Sequence, residues 1–349
     1  MAASLDNTIY EPIVAAIDAE MRTIRAEQQP VAPLLWEIVD YQFGWDLPPD
    51  AVEERRRVAG KKIRSLLMAL VAQAVGGDYV PVLPAAAALE MLHNFTLIHD
   101  DVMDNSQERR HRPAVWTRWG MAQAINVGDG LYALANVAMA RLLRAGVPAT
   151  RVVRASEALS QACLWTCEGQ VLDISFETRG QVSPDEYITM IAHKSGTLIE
   201  AAARIGALLS TDDDAIIDAY GEFARNLGIA FQIRDDALGI WGEEALTGKS
   251  AKSDLRDKKK SYPVLVAFER AAPQDRATLQ TLYARDTLDD EAIASVLAIL
   301  AQIDAAGETE RVAQAYYERA LAALDRTGID TAPQSAIRRL AEFLIRRAY

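Results

Sequence analysis

Aromatic residues make up only 7% of this 349-residue chain, and cysteine occurs twice. No run of period-2 apolar alternation persists, which excludes a β-sandwich or barrel built on half-buried strands. Cys163 and Cys167 lie four residues apart with no histidine or further cysteine nearby, so neither a zinc set nor a disulfide framework is available. They read as two small buried side chains in a reducing cytosol. Basic excess is also lacking. Against 49 Asp and Glu stand 37 Lys and Arg, a net charge of −12 that excludes an ordinary nucleic-acid-binding surface. No window of 18 uninterrupted apolar residues occurs, so no membrane span is expected, and the opening MAASLDNTIYEP has no basic-then-apolar signal pattern. These absences predict a soluble, cytoplasmic protein.

Half the residues are apolar, chiefly Ala, Leu, Val and Ile, which is enough for a sizeable helical core. Helices are predicted at about 7–28, 53–75, 84–100, 119–144, 149–176, 184–209, 212–240, 262–271, 274–284, 289–304, 307–326 and 330–347. Between the first two, 34–38 reads as a short helix and 41–49 as a turn-rich connector. Leu89, Leu92, Thr96 and His99 fall at helical spacing and run into an acidic cluster. Ser183–Pro184 with Glu186, and Thr211 with Asp214, mark helix starts. With no linker, repeat or low-complexity tract, the prediction is one all-α domain over 1–349: a large helical bundle around a polar cavity.

The chemistry lies in clusters. Asp100 and Asp104 are one helical turn apart with Asp101 beside them, and such carboxylates repel one another unless a cation relieves the repulsion. Taken alone this reads as a solvated acidic helix end. A second pair, Asp235–Asp236, follows another long apolar helix. Facing each other, the two clusters could hold several Mg²⁺ ions. Basic residues accompany both: Lys61 and Arg64 upstream, at i and i+3 of the predicted helix, Arg109 and Arg110 just beyond the first cluster, Lys194, and Lys249 and Lys259 beyond the second. Cations beside metal-binding carboxylates suit anions of phosphate geometry.

Five segments carry a family resemblance: GKKIRSLL at 60–67, EMLHNFTLIHDDVMDNSQERRHRP at 90–113, EGQVLD at 168–173, HKSGTL at 193–198, and FQIRDDALGIWG through DKKKSYP at 231–263. Over residues 60–263 the sequence resembles the trans-polyprenyl diphosphate synthases, the farnesyl and geranylgeranyl diphosphate synthase family. The resemblance implies an isoprenoid-synthase helical bundle and a homodimer. It also implies a Mg²⁺-dependent prenyltransferase, with three ions per site when diphosphate is bound, that joins isopentenyl diphosphate head-to-tail to allylic diphosphates. Lys61, Arg64, His93 and Arg110 would hold isopentenyl diphosphate. Arg109, Lys194, Lys249 and Lys259 would hold the allylic diphosphate. Asp100, Asp104 and Asp235 would bind metal, with Asp101 and Asp236 acting through metal-bound water. Ser195 and Gln232 would point oxygen dipoles at the reacting carbon.

Five positions depart from the family pattern, one of them Ser195, which stands where threonine is usual and keeps a hydroxyl. Gly239 stands where the second aspartate motif usually ends in a third aspartate, and His111, Lys252 and Lys258 stand where glycine is usual. Residues 246–260 form the candidate lid. Phe95, five residues or about 7.5 Å before Asp100 at the helical rise, is the candidate floor for the growing chain, with the small Thr96 beside it. An aromatic there resembles the C20 (geranylgeranyl) synthases, with C15 (farnesyl) output as the alternative. A terpene cyclase or a non-catalytic partner subunit are readings from other classes. Both sit poorly with retention of the isopentenyl-side residues and both aspartate pairs.

Overall fold

The computed structural model describes residues 7–29, 31–242 and 252–346. Its first half contains α1 (Asn7–Ala26), α2 (Pro33–Gln42), α3 (Val52–Ala59), α4 (Ile63–Gly76), α5 (Leu83–Met103), α6 (Val115–Trp119), α7 (Met121–Ala140) and α8 (Ala149–Thr178). Two-residue strands β1 (Glu108–Arg109) and β2 (Arg112–Pro113) pair between α5 and α6. The second half contains α9 (Pro184–Ile191), α10 (Thr197–Leu208), α11 (Asp214–Trp241), α12 (Ser253–Arg256), α13 (Tyr262–Arg270), α14 (Pro273–Tyr283), α15 (Asp290–Gln302), α16 (Ala305–Asp325) and α17 (Ala332–Ile345). The all-α prediction holds.

Small side chains let these helices approach. In the first turns of α5 Pro84 is buried and Ala85 to Ala88 are fully buried, so α5 runs through the interior against α1, α4 and α7. Helix α10 packs on α4, α8 and α11, and α11 lies along α16. The main core joins these elements, with Tyr220 and Phe223 of α11 among its largest fully buried side chains, each contributing roughly 1.5–3 kcal/mol by burial. A smaller core beneath α13–α15 holds Leu255, Val264 and Val296. One helix, Val80–Met103 (a 3₁₀ turn plus α5), is long and apolar enough to cross a membrane, but 67% of its apolar window is buried against other helices.

Several local predictions need correction. The helix predicted over 53–75 is broken: Gly60 at φ +69° and Lys62 at φ +46° leave the right-handed region, so α3 and α4 are separate. Lys61 therefore lies in the break, not on one helix face with Arg64. Helix α2 runs on to Gln42, so Tyr41 and Gln42 are helical and buried rather than part of a connector. Ser183 and Glu186 do form a capping box, but α11 is capped by Asp213, which accepts from the backbone N–H of Ala215 and Ile216, rather than by Thr211. Between α9 and α10 the predicted continuous helix widens into a π-helical turn at Ala192–Gly196. Cys163 is buried as predicted, whereas Cys167 is exposed.

Candidate active site

Helix α5 delivers the first acidic cluster at its C-terminal end, with Asp104 as its C-cap. The three carboxylates have different surroundings. Asp101 is buried and accepts from Arg109 Nε at 2.9 Å. Asp100 faces both Arg109 and Lys194, each at 3.6 Å. Burial, reinforced by the charge of Asp100, pushes the Asp104 carboxyl up to about 6.

The paired arginines sit on a tight hairpin. Arg109 pairs with Arg112 across the ladder, so Arg110 and His111 form a two-residue loop with φ of +54° and +63°, the signature of a type I′ turn. The turn sends the two guanidiniums apart. Arg109 reaches the carboxylates of α5, while Arg110 donates to Val58 O at 2.5 Å and lies over Gly60, where a Cβ would stand 2.8 Å from its Cζ. Only the bare backbone of Gly60 admits it. His111, an exposed residue in a conformation suited to glycine, carries avoidable strain. His111→Gly is expected to stabilise the protein by about 1 kcal/mol, read as a melting temperature raised by about 2 °C.

Arg110 thereby joins a cationic group at the start of α4. Arg64 Nη1 lies 3.2 Å from His93 Nε2. Burial, and then the charges of Arg64, Arg110 and Arg109, hold the His93 pKa well below its ordinary value, so the ring is neutral and Nε2 accepts from Arg64. Arg64 Nε is buried with no hydrogen-bond partner, a donor left for a ligand. Lys61 lies over the Phe343 ring of α17 at 4.9 Å. Its neighbour Lys62 turns inward and pairs with Asp18 at 3.4 Å, which separates the roles of two consecutive lysines. Beneath the group is Glu90, a buried carboxylate that accepts from Ser65 Oγ at 2.6 Å and whose charge helps keep Arg64 and Arg110 cationic.

The π-helical turn presents Lys194 and Ser195. It is clasped by two helices: a Cβ at Gly169 of α8 would stand 2.3 Å from Lys194 N, and one at Gly228 of α11 would stand 2.7 Å from Gly196 Cα. Lys194 Nζ bonds Asp173 of α8 at 2.5 Å as well as facing Asp100. Ser195 Oγ donates to Gln232 Oε1 at 2.8 Å, and Gln232 Nε2 donates to Asp236 at 3.2 Å. The Gln232 carbonyl is thus engaged by Ser195, and of this pair only Ser195 borders the cavity.

Asp236 is buried and also accepts from Tyr187 Oη at 2.6 Å and Tyr262 N at 3.1 Å. Burial outweighs these bonds and raises its pKa from 3.8 to about 7. The folded chain then holds this proton more tightly than the unfolded chain does. The stabilisation is complete below about pH 4 and is lost as pH rises towards 7. Asp104 adds a contribution of the same sign. In the presence of EDTA the melting temperature is expected to fall between pH 5 and pH 8, and Asp236→Asn to flatten that fall.

The second acidic motif places Asp235, half-buried, one residue before Asp236 on α11. Lys249 and the first part of the predicted lid, 246–251, lie outside the described residues. Residues 252–260 pack down onto the body. Lys259 pairs with Asp254 at 3.4 Å, and its charge is felt at Asp104. Lys252 and Lys258, like His111, have left-handed φ, of +65° and +52°. At all three positions where the family usually has glycine, the backbone keeps the conformation glycine favours.

Five of the groups described above border a cavity of about 310 Å³. Arg64, His93, Asp100, Lys194 and Ser195 line its polar end. Phe95, Thr96, Met103, Cys167, Val171, Ile174 and Leu198 line the rest. The Phe95 ring packs edge-on against His99 at 4.8 Å and tilted against Tyr132 at 5.6 Å. Asp173, Glu90 and Tyr187 were not singled out from sequence. Asp173 closes the EGQVLD segment and Glu90 opens the segment with the first acidic cluster, so both were in view; Tyr187 had no signal.

Among the described residues no three Asp, Glu, His or Cys side chains converge on one point. A cation here would take oxygens from one or two carboxylates and complete its shell elsewhere. The hard oxygen donors, and the burial and Asp100 charge that raise the Asp104 pKa, fit such an ion.

Residues 50–300 match the family model described as polyprenyl synthetase. The chain is 37% identical to a geranylgeranyl diphosphate synthase of Methanosarcina mazei over 83% of its own length and 86% of the relative's. It is 34% identical to a (2E,6E)-farnesyl diphosphate synthase of Mycobacterium bovis, covering 93% and 89% of the two chains. The crystal structure of a geranylgeranyl pyrophosphate synthetase from Pyrococcus horikoshii superposes with a TM-score of 0.85 at 30% identity, over 98% of each chain. Fold, motifs and matched length agree: the chain is a prenyltransferase that belongs to the polyprenyl synthetase family.

Proposed function

We propose that the protein condenses isopentenyl diphosphate with an allylic diphosphate to make short all-trans prenyl diphosphates, with the C20 geranylgeranyl diphosphate as its main product. The observation that carries this reading is the hairpin that splits Arg109 from Arg110. It divides the cations into two groups, Arg109 beside Asp100 and Lys194, and Arg110 beside Arg64, and Lys194 and Arg64 both line one largely apolar cavity. A single-substrate cyclase has no use for the second.

Lys61, Arg64, neutral His93 and Arg110 take isopentenyl diphosphate, with the orphaned Arg64 Nε as a ready donor. Arg109, Lys194, Lys249 and Lys259 take the allylic diphosphate. Asp100, Asp104 and Asp235 would hold Mg²⁺, three ions when diphosphate is bound, and the metal would supply charge neutralisation for the leaving diphosphate. The allylic carbon–oxygen bond breaks and its electron pair leaves with the diphosphate. Lys194, fixed by Asp173 and Asp100, faces that developing charge. The double bond of isopentenyl diphosphate attacks the cation, and the departing diphosphate removes the proton. Ser195 Oγ keeps lone pairs towards the cation, since its hydrogen is committed to Gln232. The apolar lining from Phe95 to Leu198 excludes water that would otherwise trap the cation. Asp101 and Asp236, occupied by protein donors, orient the groups around them.

The working unit we infer is a homodimer. Met121, Ile125 and Tyr132 on α7, with Val153, Leu164 and Val171 on α8, are exposed at helical spacing and make an apolar face that a second copy would cover. Light scattering on the purified chain is expected to give twice the monomer mass, and a monomer at micromolar concentration would refute this part.

The test of the activity is a product assay. The protein, Mg²⁺ and isopentenyl diphosphate are incubated separately with dimethylallyl, geranyl and farnesyl diphosphate, and products are sized by mass spectrometry. A C20 diphosphate is expected. C15 as end product moves the assignment to farnesyl diphosphate, and no elongation with any primer overturns the reading.

A further inference from the structure

We propose that Lys258 and Lys260 are positioning residues for the allylic diphosphate: their ammonium groups pin the two flanks of Lys259 to the C-terminal ends of two different helices, and the pins keep Lys259 beside the acidic cluster. Lys258 Nζ donates to Tyr283 O at 3.4 Å and to Arg285 O, the carbonyls that close α14. Lys260 Nζ donates to Phe176 O at 2.7 Å, Glu177 O at 3.3 Å and Arg179 O, the carbonyls that close α8. The last carbonyls of a helix have no donor within it and carry the negative end of its dipole, so an ammonium group suits both places.

The lysine between them goes elsewhere. Lys259 Nζ lies 3.4 Å from Asp254, its side chain is half exposed, and it interacts with the charge of Asp104. Its own N–H donates to Asp254 O at 2.8 Å. Three consecutive lysines thus divide the work: the outer two spend their charge on backbone carbonyls, and only the central one keeps its charge for the cleft. Lys258 does so from a left-handed φ of +52°, which a residue with a Cβ adopts at a cost that glycine, usual in the family here, would avoid. What the side chain returns for that cost is the bond to the end of α14. The pin of Lys260 falls on α8 one turn beyond Asp173, the partner of Lys194. Lys194 and Lys259 are therefore both placed by reference to one helix.

The inference rests on reading the cleft as a diphosphate site, and the test separates the two. Lys258→Asn, which tolerates the left-handed backbone but has no ammonium group, and Lys260→Met are the variants. Each is expected to raise the KM for the allylic diphosphate at least about fivefold, with the KM for isopentenyl diphosphate little changed. Each should also speed amide hydrogen exchange in a peptide covering 252–261, a readout that needs no substrate. Lys260→Arg, whose guanidinium can reach the same carbonyls, should recover most of the loss seen in Lys260→Met. A wild-type allylic KM in either Lys258→Asn or Lys260→Met would overturn the proposal, as would an equal rise in both KM values, which marks general loosening. An inactive wild type whose exchange still responds to the two substitutions would overturn the functional reading and leave the pins standing.

Discussion

Asp100→Asn is expected to lower kcat for condensation by about 10²–10³-fold while leaving the fold intact. The two consequences come from the same geometry. Asp100 is only partly buried, contributes no core contact, and faces two cations, Arg109 and Lys194, each at 3.6 Å. Removing its charge leaves Lys194 with Asp173 and Arg109 with Asp101, so neither cation is orphaned. It also removes a repulsive neighbour of Asp104, whose carboxyl is pushed up to about 6 by burial and then by Asp100. Asp104 should ionise more readily and the melting temperature should hold or rise. The reaction loses a carboxylate aimed at the cation-binding face, where leaving-group charge develops. Steady-state kinetics over a Mg²⁺ series, with thermal melts alongside, check both halves. An unchanged kcat would remove Asp100 from the reaction, and an unfolded variant would show the acidic cluster to be structural.

Phe95→Ala is expected to lengthen the dominant product by at least one five-carbon unit. The ring lies along the cavity below the acidic cluster and is braced by His99 at 4.8 Å and Tyr132 at 5.6 Å. Removing it opens volume along α5, the direction in which a chain starting at Asp100 must grow. His99 cannot collapse into the gap freely, because its Nε2 is held 3.1 Å from Ile125 O. Phe95 is only partly buried, so the stability cost should stay below the about 3–5 kcal/mol of a fully buried phenylalanine. Tyr132 packs against the far side of the Phe95 ring from α7, and Phe95→Ala/Tyr132→Ala should extend the product further. Mass spectrometry of products from farnesyl diphosphate is the check, and an unchanged length would reduce Phe95 to core packing.

Much of this protein was legible in its sequence. Helical periodicity and alanine-rich runs identified an all-α chain because both are local properties of consecutive residues. The acidic clusters, the paired arginines and Lys194 stood out because chemistry of that kind has little structural use elsewhere. The glycine positions now held by His111, Lys252 and Lys258 also told true, since all three retain positive φ. Tertiary structure decided what depends on partners far along the chain. It broke the helix at Gly60 so that Arg110, fifty residues later, could lie on bare backbone. It sent Lys61 and Lys62 to opposite sides and placed Glu90 under the arginines. It paired Asp173 with Lys194. A sequence shows which groups a chain possesses, but which of them meet is settled by close packing, where a single absent Cβ decides whose side chain fills the space.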